Sequence, residues 1–250
     1  TFEEQITHYE AFCEQIVQSG GGTAKQRLIL VGHSIGAYAV VDVLVRNEGL
    51  RKRTIAIHLL MPFIQWRNLG FMHAMKIRAV LSFPDFVSNY FADRVPKIMD
   101  NIHPSVKAGL IRKSHNDMDN GSVEMAATEM FSTRLFLNFV RMARTEVQAI
   151  IDNEDAMLQW IKQLSGQIPT YALYTDHDVW APMKDYDMLR KELPFVVAGY
   201  KPNLTHAFST SFEKGDLVRE LMVNELTKLL VPADQKLRER GGEHNIMSKL

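Results

Sequence analysis

The residues with the clearest chemical meaning are a serine and the two glycines that flank it. Residues 28–36 read Leu-Ile-Leu-Val-Gly-His-Ser-Ile-Gly, an apolar run that enters a Gly-x-Ser-x-Gly pattern. With the apolar-periodic segment that follows, this predicts a sharp strand-to-helix turn carrying Ser34. Such a strained turn needs neighbours without side chains, here Gly32 and Gly36. The pattern therefore predicts Ser34 as a nucleophile, with the backbone N–H of Ile35 donating to a developing oxyanion.

A serine hydroxyl at neutral pH needs a base that takes its proton. The chain has nine histidines. In a site of this type the order along the chain is serine, acid and histidine, and the histidine follows the last strand. His206 has that position, just before the last long helix. His33 lies within the turn and cannot reach the hydroxyl as a base, and His58 falls inside a strand. We therefore expect His206 to be the base.

Three aspartates compete for the role of the acid that orients the histidine. Asp176, Asp178 and Asp185 all follow the apolar run that ends at Tyr174. Asp176 leaves the strand early and is expected to stabilise the turn. Asp185 is expected to begin the next helix, where an acid is favoured. Asp178 precedes Val-Trp-Ala-Pro, residues that can fix a loop, so it is the preferred candidate with Asp176 as the alternative.

Strands must place these side chains, and four apolar runs predict them. The predicted strands are Arg27–Val31, Ile55–Leu60, Thr170–Tyr174 and Phe195–Tyr200. Helical patterns cover Phe2–Gln18, Ala37–Arg46, Met183–Lys191 and Leu217–Leu230. Strands that alternate with helices favour a mostly parallel α/β sheet covered on both faces.

The segment between the second and third strands is much longer than a normal connection. Residues 62–168 contain amphipathic helical stretches and no convincing strand, which predicts a helical cap folded over the site. The chain is thus divided into residues 1–61 and 169–231 as two parts of one core, residues 62–168 as the cap and residues 232–250 as a flexible polar tail.

The composition excludes several other classes of function. Lys+Arg and Asp+Glu each total 29, so no excess of charge favours nucleic acid as a partner. The single cysteine, Cys13, fits an intracellular, reducing compartment. The sequence contains no run of eighteen or more apolar residues, so it predicts no membrane-spanning helix. The sequence has no paired cysteines or His-Glu-x-x-His motif for a metal, and the predicted chemistry needs no cofactor.

Three stretches of the chain resemble the lipid droplet-associated hydrolase family. They are residues 31–38 around the serine, residues 178–182 after the acid, and residues 203–208 around the histidine. Residues 5–10 and the approach from Trp160 to Tyr174 extend the resemblance over most of residues 2–230. It implies an α/β-hydrolase fold, an acyl-ester substrate that is a neutral lipid, and association with lipid droplets through the helical insertion. It also implies Ser34, Asp178 and His206 as the catalytic residues.

One departure from this family is large. Its members have several strands ahead of the serine turn and a Gly-rich loop that donates a second N–H to the oxyanion. In this sequence only a helical pattern precedes Arg27. The chain is therefore expected to be a fragment, or the product of an incomplete gene model, that lacks amino-terminal strands. The edge of the serine strand would then be exposed, and loss of one oxyanion donor would cost roughly a hundred- to a thousandfold in rate.

The insertion also has features of a surface that contacts lipid. Nine of the thirteen methionines lie between residues 61 and 157, at Met61, Met72, Met75, Met99, Met118, Met125, Met130, Met142 and Met157. The segment from Phe71 to Phe91 adds Phe83, Phe86 and Tyr90. Flexible methionines suit a surface that adapts to acyl chains, so one hypothesis is a cap that lies on a lipid surface. The alternative is that these side chains pack the cap onto the core.

The chain ends in Ser248-Lys249-Leu250. A carboxyl-terminal Ser-Lys-Leu is an address read by the peroxisomal import receptor. We therefore expect location in the peroxisome or at the lipid droplet.

These observations favour a serine esterase or lipase that acts on lipid esters. An acyl-CoA thioesterase would use the same three residues. A non-catalytic lipid-binding protein built on a hydrolase fold is the alternative from another class, because a fold does not guarantee a function.

Overall fold

The described part of the chain is built on one parallel sheet. A computed structural model describes residues 1–19, 27–81, 94, 98, 101–114, 118–130 and 133–240. Within these residues the sheet has the order β1-β2-β3-β4, and every pair of neighbours is parallel. The strands are β1 (Leu28–His33), β2 (Thr54–Leu60), β3 (Thr170–Tyr174) and β4 (Val196–Tyr200). The predicted parallel α/β architecture is confirmed, with each strand close to its predicted bounds.

Helices surround this sheet. In the described residues they are α1 (Phe2–Ser19), α2 (Ile35–Arg46), α3 (Glu48–Arg53), α4 (Phe71–Leu81), α5 (Pro104–Ser114), α6 (Asn120–Met125), α7 (Thr133–Asp152), α8 (Glu154–Ser165), α9 (Met183–Glu192) and α10 (Phe212–Arg240). Short 3₁₀ helices cover Trp66–Asn68 and Phe208–Thr210, and a π-helical turn covers Ala126–Met130. None of the helices formed by these residues combines the length and hydropathy needed to cross a bilayer.

The register of the strands gathers their carboxyl ends at one edge. His33 pairs with Leu60, Leu60 pairs with Leu173, and Tyr174 pairs with Tyr200. Every residue of β3 is buried, as the apolar run predicts for a strand covered on both faces. Since the strands end level with one another, the turns that follow β1, β3 and β4 open onto the same edge, where parallel sheets bind ligands.

The strand β1 forms one edge of the sheet within the described residues. It pairs with β2, and its side chains Ile29 and Val31 remain 38% and 44% exposed.

One hydrophobic core joins the sheet to α2 and α8. On α2, Ala37, Val41 and Leu44 are buried, and the ring of Tyr38 lies 5.3 Å from that of Phe2 and 6.4 Å from that of Trp160. Three apolar side chains of α8 belong to the same core: Met157, Ile161 and Leu164. The carboxyl-terminal part of the predicted insertion therefore packs on the core beside α2.

Another part of the insertion packs separately. Ile111 on α5, Val123 on α6, and Ala126 and Ala127 in the π-helical turn form a second buried cluster. The described residues between β2 and β3 are helical or irregular, as the periodicity predicts. The division of the chain into domains remains a prediction.

The last helix differs from its predicted bounds. The sequence pattern places it at Leu217–Leu230, whereas α10 begins at Phe212 and ends at Arg240. The first residues of the predicted tail are thus helical. Ser248, Lys249 and Leu250 lie outside the described residues, so the predicted peroxisomal address remains a prediction.

A buried carboxyl group connects α9 to the chain that follows β2. Asp185 is completely buried, and its Oδ1 accepts a hydrogen bond of 2.5 Å from Nδ2 of Asn68. The same Nδ2 donates to Oε1 of Gln65 at 2.7 Å. The Oδ2 atom of Asp185 is buried and has no hydrogen-bond partner among the described residues. Burial raises the pKa of Asp185 to about 7, because a carboxylate without full solvation is costly.

Replacing Asp185 by asparagine is expected to change how stability depends on pH. The folded pKa of about 7 lies above the ordinary value of 3.8, so between these values the folded chain holds a proton that the unfolded chain has lost. The wild-type free energy of unfolding therefore falls as the pH rises through that window. The amide introduced by Asp185→Asn keeps an acceptor for Asn68 and does not titrate. The variant should match the wild type near pH 4 and exceed its stability at pH 8 by up to roughly 4 kcal/mol.

Urea unfolding at both pH values measures this difference. Asp187→Asn, which neutralises an exposed acid on the same helix, is the matched control and should show little change. A gain from Asp185→Asn that is equal at both pH values would contradict the explanation.

Candidate active site

The serine lies on a strained turn between β1 and α2. Ser34 has φ 55° and ψ −122°, a positive φ that non-glycine residues rarely adopt. Its N–H donates to the carbonyl of Leu60 at 3.0 Å, and its own carbonyl accepts from the N–H groups of Ala37 at 3.1 Å and Phe63 at 3.3 Å. These bonds fix the turn to the end of β2. Strain of this kind costs on the order of 1–3 kcal/mol and persists because the surroundings hold it.

The two flanking glycines have different roles. A Cβ on Gly32 would lie 2.6 Å from the Cα of Ala37 and 2.7 Å from its N, both backbone atoms. A Cβ on Gly36 would meet no described atom within 4 Å. The expectation that both neighbours must lack side chains therefore holds at Gly32, but the described structure gives no such reason at Gly36.

This contrast predicts opposite results for two equal substitutions. Gly32→Ala should force the turn to shift, destabilising the chain by about 1–3 kcal/mol and lowering reactivity of Ser34 by roughly a hundredfold. Gly36→Ala places alanine in a helix and should stabilise by about 0.5–1 kcal/mol. Chemical denaturation and the labelling rate of Ser34 by a fluorophosphonate measure both effects. Equal losses for the two variants would refute this interpretation of the turn.

The histidine reaches the serine from the loop after β4. Nε2 of His206 lies 2.8 Å from Oγ of Ser34, and its Nδ1 lies 2.7 Å from Oδ2 of Asp178. The His206 side chain is 23% exposed and that of Asp178 is fully buried. With Nδ1–H donating to the carboxylate, Nε2 is left to accept the serine proton.

The carboxylate of Asp178 is held by the backbone of the residues that follow it. Oδ1 of Asp178 accepts hydrogen bonds from the N–H groups of Trp180 at 2.8 Å and Ala181 at 3.1 Å. Its other oxygen is thereby aimed at His206. Of the three candidate aspartates, the geometry brings Asp178 to the histidine. Asp176 instead accepts from the backbone of Asn203, and Asp185 from Asn68.

The amino terminus of α2 points at the same place. Ile35 is the first residue of this twelve-residue helix, so its N–H has no carbonyl one turn earlier within the helix to bond. The helix dipole adds partial positive charge there. The arrangement suits an oxyanion that forms beside the Ser34 hydroxyl. The N–H of Phe63, also at the turn, is engaged by the Ser34 carbonyl.

A second histidine packs behind the first. The ring of His33 lies 4.9 Å from that of His206 and 4.9 Å from that of Phe208. Burial, and next the nearby His206, lowers the pKa of His33 to about 4. His33 is therefore neutral near pH 7 and does not repel a proton on His206. This fits the expectation that His33 supports the turn but does not act as the base.

The structure also brings to the site two residues that the sequence analysis did not assign to it. The ring of Trp180 lies 4.5 Å from that of His73 on α4, 5.8 Å from Phe63 and 6.5 Å from His206. Helix α4 therefore begins beside the catalytic histidine candidate. No sequence signal connected His73 to the site, since the two halves of this contact are far apart along the chain. Within the described part, no group of metal-ligating side chains is present.

Comparisons with known proteins show the family of the chain. Residues 1–209 match the family described as lipid-droplet associated hydrolase. The chain is 26% identical over 210 residues to a lipid droplet-associated hydrolase of Gallus gallus, covering 81% of this chain and 60% of that protein. It is 24% identical over 230 residues to a lipid droplet-associated hydrolase of Homo sapiens, covering 90% of this chain and 65% of that one. The chain thus spans less than two thirds of the length of these relatives.

A haloalkane dehalogenase from Agrobacterium tumefaciens shares the fold. The TM-score is 0.64 at 12% sequence identity, over 91% of this chain and 73% of that one. An α/β-hydrolase fold is therefore established for the described sheet and helices. Together with the family match over residues 1–209, it follows that the chain belongs to the lipid-droplet associated hydrolase family.

Proposed function

We propose that this chain is a serine hydrolase that cleaves carboxylic esters of neutral lipids. The observation that carries the proposal is the continuous set of hydrogen bonds from Asp178 through His206 to Ser34, with contacts of 2.7 and 2.8 Å. Side chains in this arrangement convert a weak nucleophile into a reactive one. Membership of a hydrolase family supports the same reaction.

The first half of the reaction forms an acyl-enzyme. His206 Nε2 takes the Ser34 proton while Oγ attacks the ester carbonyl carbon, and the carbonyl oxygen becomes an oxyanion beside the N–H of Ile35. Asp178 stabilises the resulting imidazolium through Nδ1–H. The tetrahedral intermediate then breaks its bond to the alcohol oxygen, which receives the proton from Nε2. The acyl group remains on Ser34.

The second half releases the acid. A water molecule gives a proton to His206 Nε2 and attacks the acyl carbon, and a second oxyanion forms beside Ile35. Its collapse breaks the bond to Oγ, which regains the proton from Nε2. The products are a carboxylic acid and the free enzyme. Both half-reactions use the same three side chains.

A lipid substrate is supported by the surface beside the site. On α4, Phe71, Met72 and Met75 are 77%, 67% and 50% exposed. His73, which lies between Met72 and Met75 on this helix, packs on Trp180 at the site. Exposed apolar side chains that cluster next to an active site mark a surface for an apolar partner. The names of the two relatives, which describe them as lipid droplet-associated, favour a droplet surface.

Other residues of the sequence-based lipid hypothesis behave differently. Met61 and Met157 are buried in the core, so for them the alternative of simple packing holds. Met125 is 60% exposed on α6. Phe83, Phe86, Tyr90, Phe91 and Met99 lie outside the described residues. The surface beside the site that we propose to contact lipid consists of Phe71, Met72 and Met75 on α4.

Flotation with phospholipid-coated triacylglycerol droplets tests this surface. Replacing Phe71, Met72 and Met75 by serine should lower the bound fraction at least about tenfold, because each exposed side chain loses burial in lipid worth on the order of 1 kcal/mol or more. Phe195→Ser is the matched control, since Phe195 is 65% exposed but precedes β4 at the opposite end of the sheet. Equal binding by both variants would refute the surface.

Turnover of three substrate classes tests the reaction itself. The chain should release acid from triacylglycerol or sterol ester in droplets, and Ser34→Ala should not. Faster turnover of acyl-CoA than of either ester would instead identify a thioesterase. Lipid binding without turnover of any of them would favour a non-catalytic protein.

A further inference from the structure

The loop that carries His206 is held by the end of β3. After β4 ends at Tyr200, the N–H of Lys201 donates to the carbonyl of Tyr174 at 2.9 Å. The chain then turns at Asn203, whose φ of 62° is the left-handed conformation that asparagine tolerates better than most residues. Backbone hydrogen bonds of the sheet stop at Lys201, so other contacts must fix the residues between it and His206.

A carboxylate supplies the first of these contacts. Oδ1 of Asp176 accepts a hydrogen bond of 2.8 Å from the backbone N–H of Asn203. This bond is the main reason why the pKa of Asp176 lies below its ordinary value of 3.8. Asp176 is therefore charged near neutral pH and bound to the histidine loop three residues before His206.

A buried hydroxyl supplies the second. Thr175 is 1% exposed, and its Oγ1 donates to the carbonyl of Leu204 at 2.7 Å. Oγ1 also lies 3.1 Å from Oδ1 of Asp176. A hydroxyl has one proton to donate, and the shorter contact identifies the carbonyl of Leu204 as its acceptor. Leu204 itself is 3% exposed, which anchors the loop two residues before His206.

These contacts matter because His206 must satisfy two partners at once. Its ring nitrogens lie 2.8 Å from Ser34 on one element and 2.7 Å from Asp178 on another. A displacement of about 1 Å at such a site can cost a hundredfold in rate. Asp178 belongs to the same loop as Thr175 and Asp176, so anchoring the histidine loop here keeps base and acid in register.

We propose that Thr175 and Asp176 are positioning residues that hold the loop of His206 against the loop of Asp178. The sequence-based alternative that Asp176 is the triad acid is thereby replaced by a different role at the same site. This proposal rests on the proposed serine hydrolase function for its kinetic consequences, but its structural consequence can be measured without a substrate.

Two pairs of substitutions separate the contacts from general damage. Thr175→Val removes the hydroxyl at nearly constant shape, and Thr175→Ser keeps it. Asp176→Ala removes the acceptor, and Asp176→Asn keeps an oxygen that can accept from Asn203. Asp187→Ala removes an exposed acid on α9 and is the control for loss of charge.

Kinetics on a water-soluble short-chain ester give the first result. We expect Thr175→Val and Asp176→Ala to lower kcat roughly ten- to a hundredfold with KM within about twofold, since they misplace the base and leave the substrate surface intact. Thr175→Ser, Asp176→Asn and Asp187→Ala should stay within about threefold of the wild type. Unchanged kcat in both disruptive variants would overturn the proposal.

The NMR signal of the His206 Nδ1 proton gives the second. A proton held between an imidazole and a carboxylate resonates far downfield, and this signal should weaken or shift in Thr175→Val and Asp176→Ala but persist in Asp187→Ala. If Asp176→Ala does not fold, the Thr175 pair decides. A wild type that neither turns over esters nor labels with a fluorophosphonate would refute the proposed function. A signal unaltered by the disruptive variants would refute the positioning role.

Discussion

Ser34→Ala and His206→Gln should each lower kcat on a soluble ester by roughly a millionfold, leaving the smaller acceleration that substrate binding and the oxyanion donor supply. The reason is that neither group acts alone. Oγ is a poor nucleophile without the base 2.8 Å away, and the base has nothing to activate without Oγ. The double variant should therefore be no slower than either single one, whereas independent contributions would multiply.

Single-turnover kinetics with circular dichroism spectra of each variant measure this effect. Both side chains lie where the carboxyl ends of the strands gather, and His206 is 23% exposed. The variants should therefore retain the wild-type fold. A double variant whose rate falls by the product of the two single losses would contradict a shared mechanism.

Asp178→Asn should lower kcat by on the order of ten thousandfold. Oδ1 of Asp178 accepts from two backbone N–H groups, those of Trp180 and Ala181. In the variant the amide oxygen must occupy this position, which turns the amide NH₂ toward Nδ1 of His206. Nδ1 then has to accept, so the ring proton moves to Nε2. A protonated Nε2 cannot take the proton of Ser34.

The same substitution at Asp176 is the matched comparison. Asp176→Asn removes an equal charge two residues away and should lower kcat by no more than about threefold, because an amide oxygen can still accept from Asn203. Values of kcat measured across pH for both variants test this. A larger loss from Asp176→Asn than from Asp178→Asn would make Asp176 the acid.

The sequence patterns that predicted the fold are local ones. Each strand is a short apolar run bounded by turn residues, and β3 matches its predicted bounds because Thr170–Tyr174 is apolar enough to be buried throughout. The three candidate catalytic residues could be chosen because each follows a strand, and parallel strands gather their carboxyl ends. The order of strands and candidate residues along the chain was therefore enough to predict that these side chains lie close together.

Contacts between distant segments could not be predicted in this way. Nothing in the run from Thr175 to Asp178 shows that Thr175 binds Leu204 and that Asp176 binds Asn203. Nor does it show that Asp178 binds His206. The packing of His73 on Trp180 is another long-range contact, and the open space at Gly36 depends on what surrounds α2.

The end of α10 shows a limit of composition. Residues 232–240 are mostly polar and charged, which predicted a flexible tail, yet the helix continues to Arg240. Lysine, arginine, glutamine and glutamate are good helix formers, so a polar segment that follows an established helix can extend it.

The most direct test of the central claim is the site of covalent modification by a fluorophosphonate. The wild-type chain is incubated with the probe, digested, and the adduct is located by mass spectrometry. Ser34 as an activated nucleophile predicts one adduct on the peptide containing Gly32 to Gly36, lost in Ser34→Ala and strongly slowed in His206→Gln. An adduct on a different residue, or labelling that persists at the same rate in Ser34→Ala, would contradict the assignment.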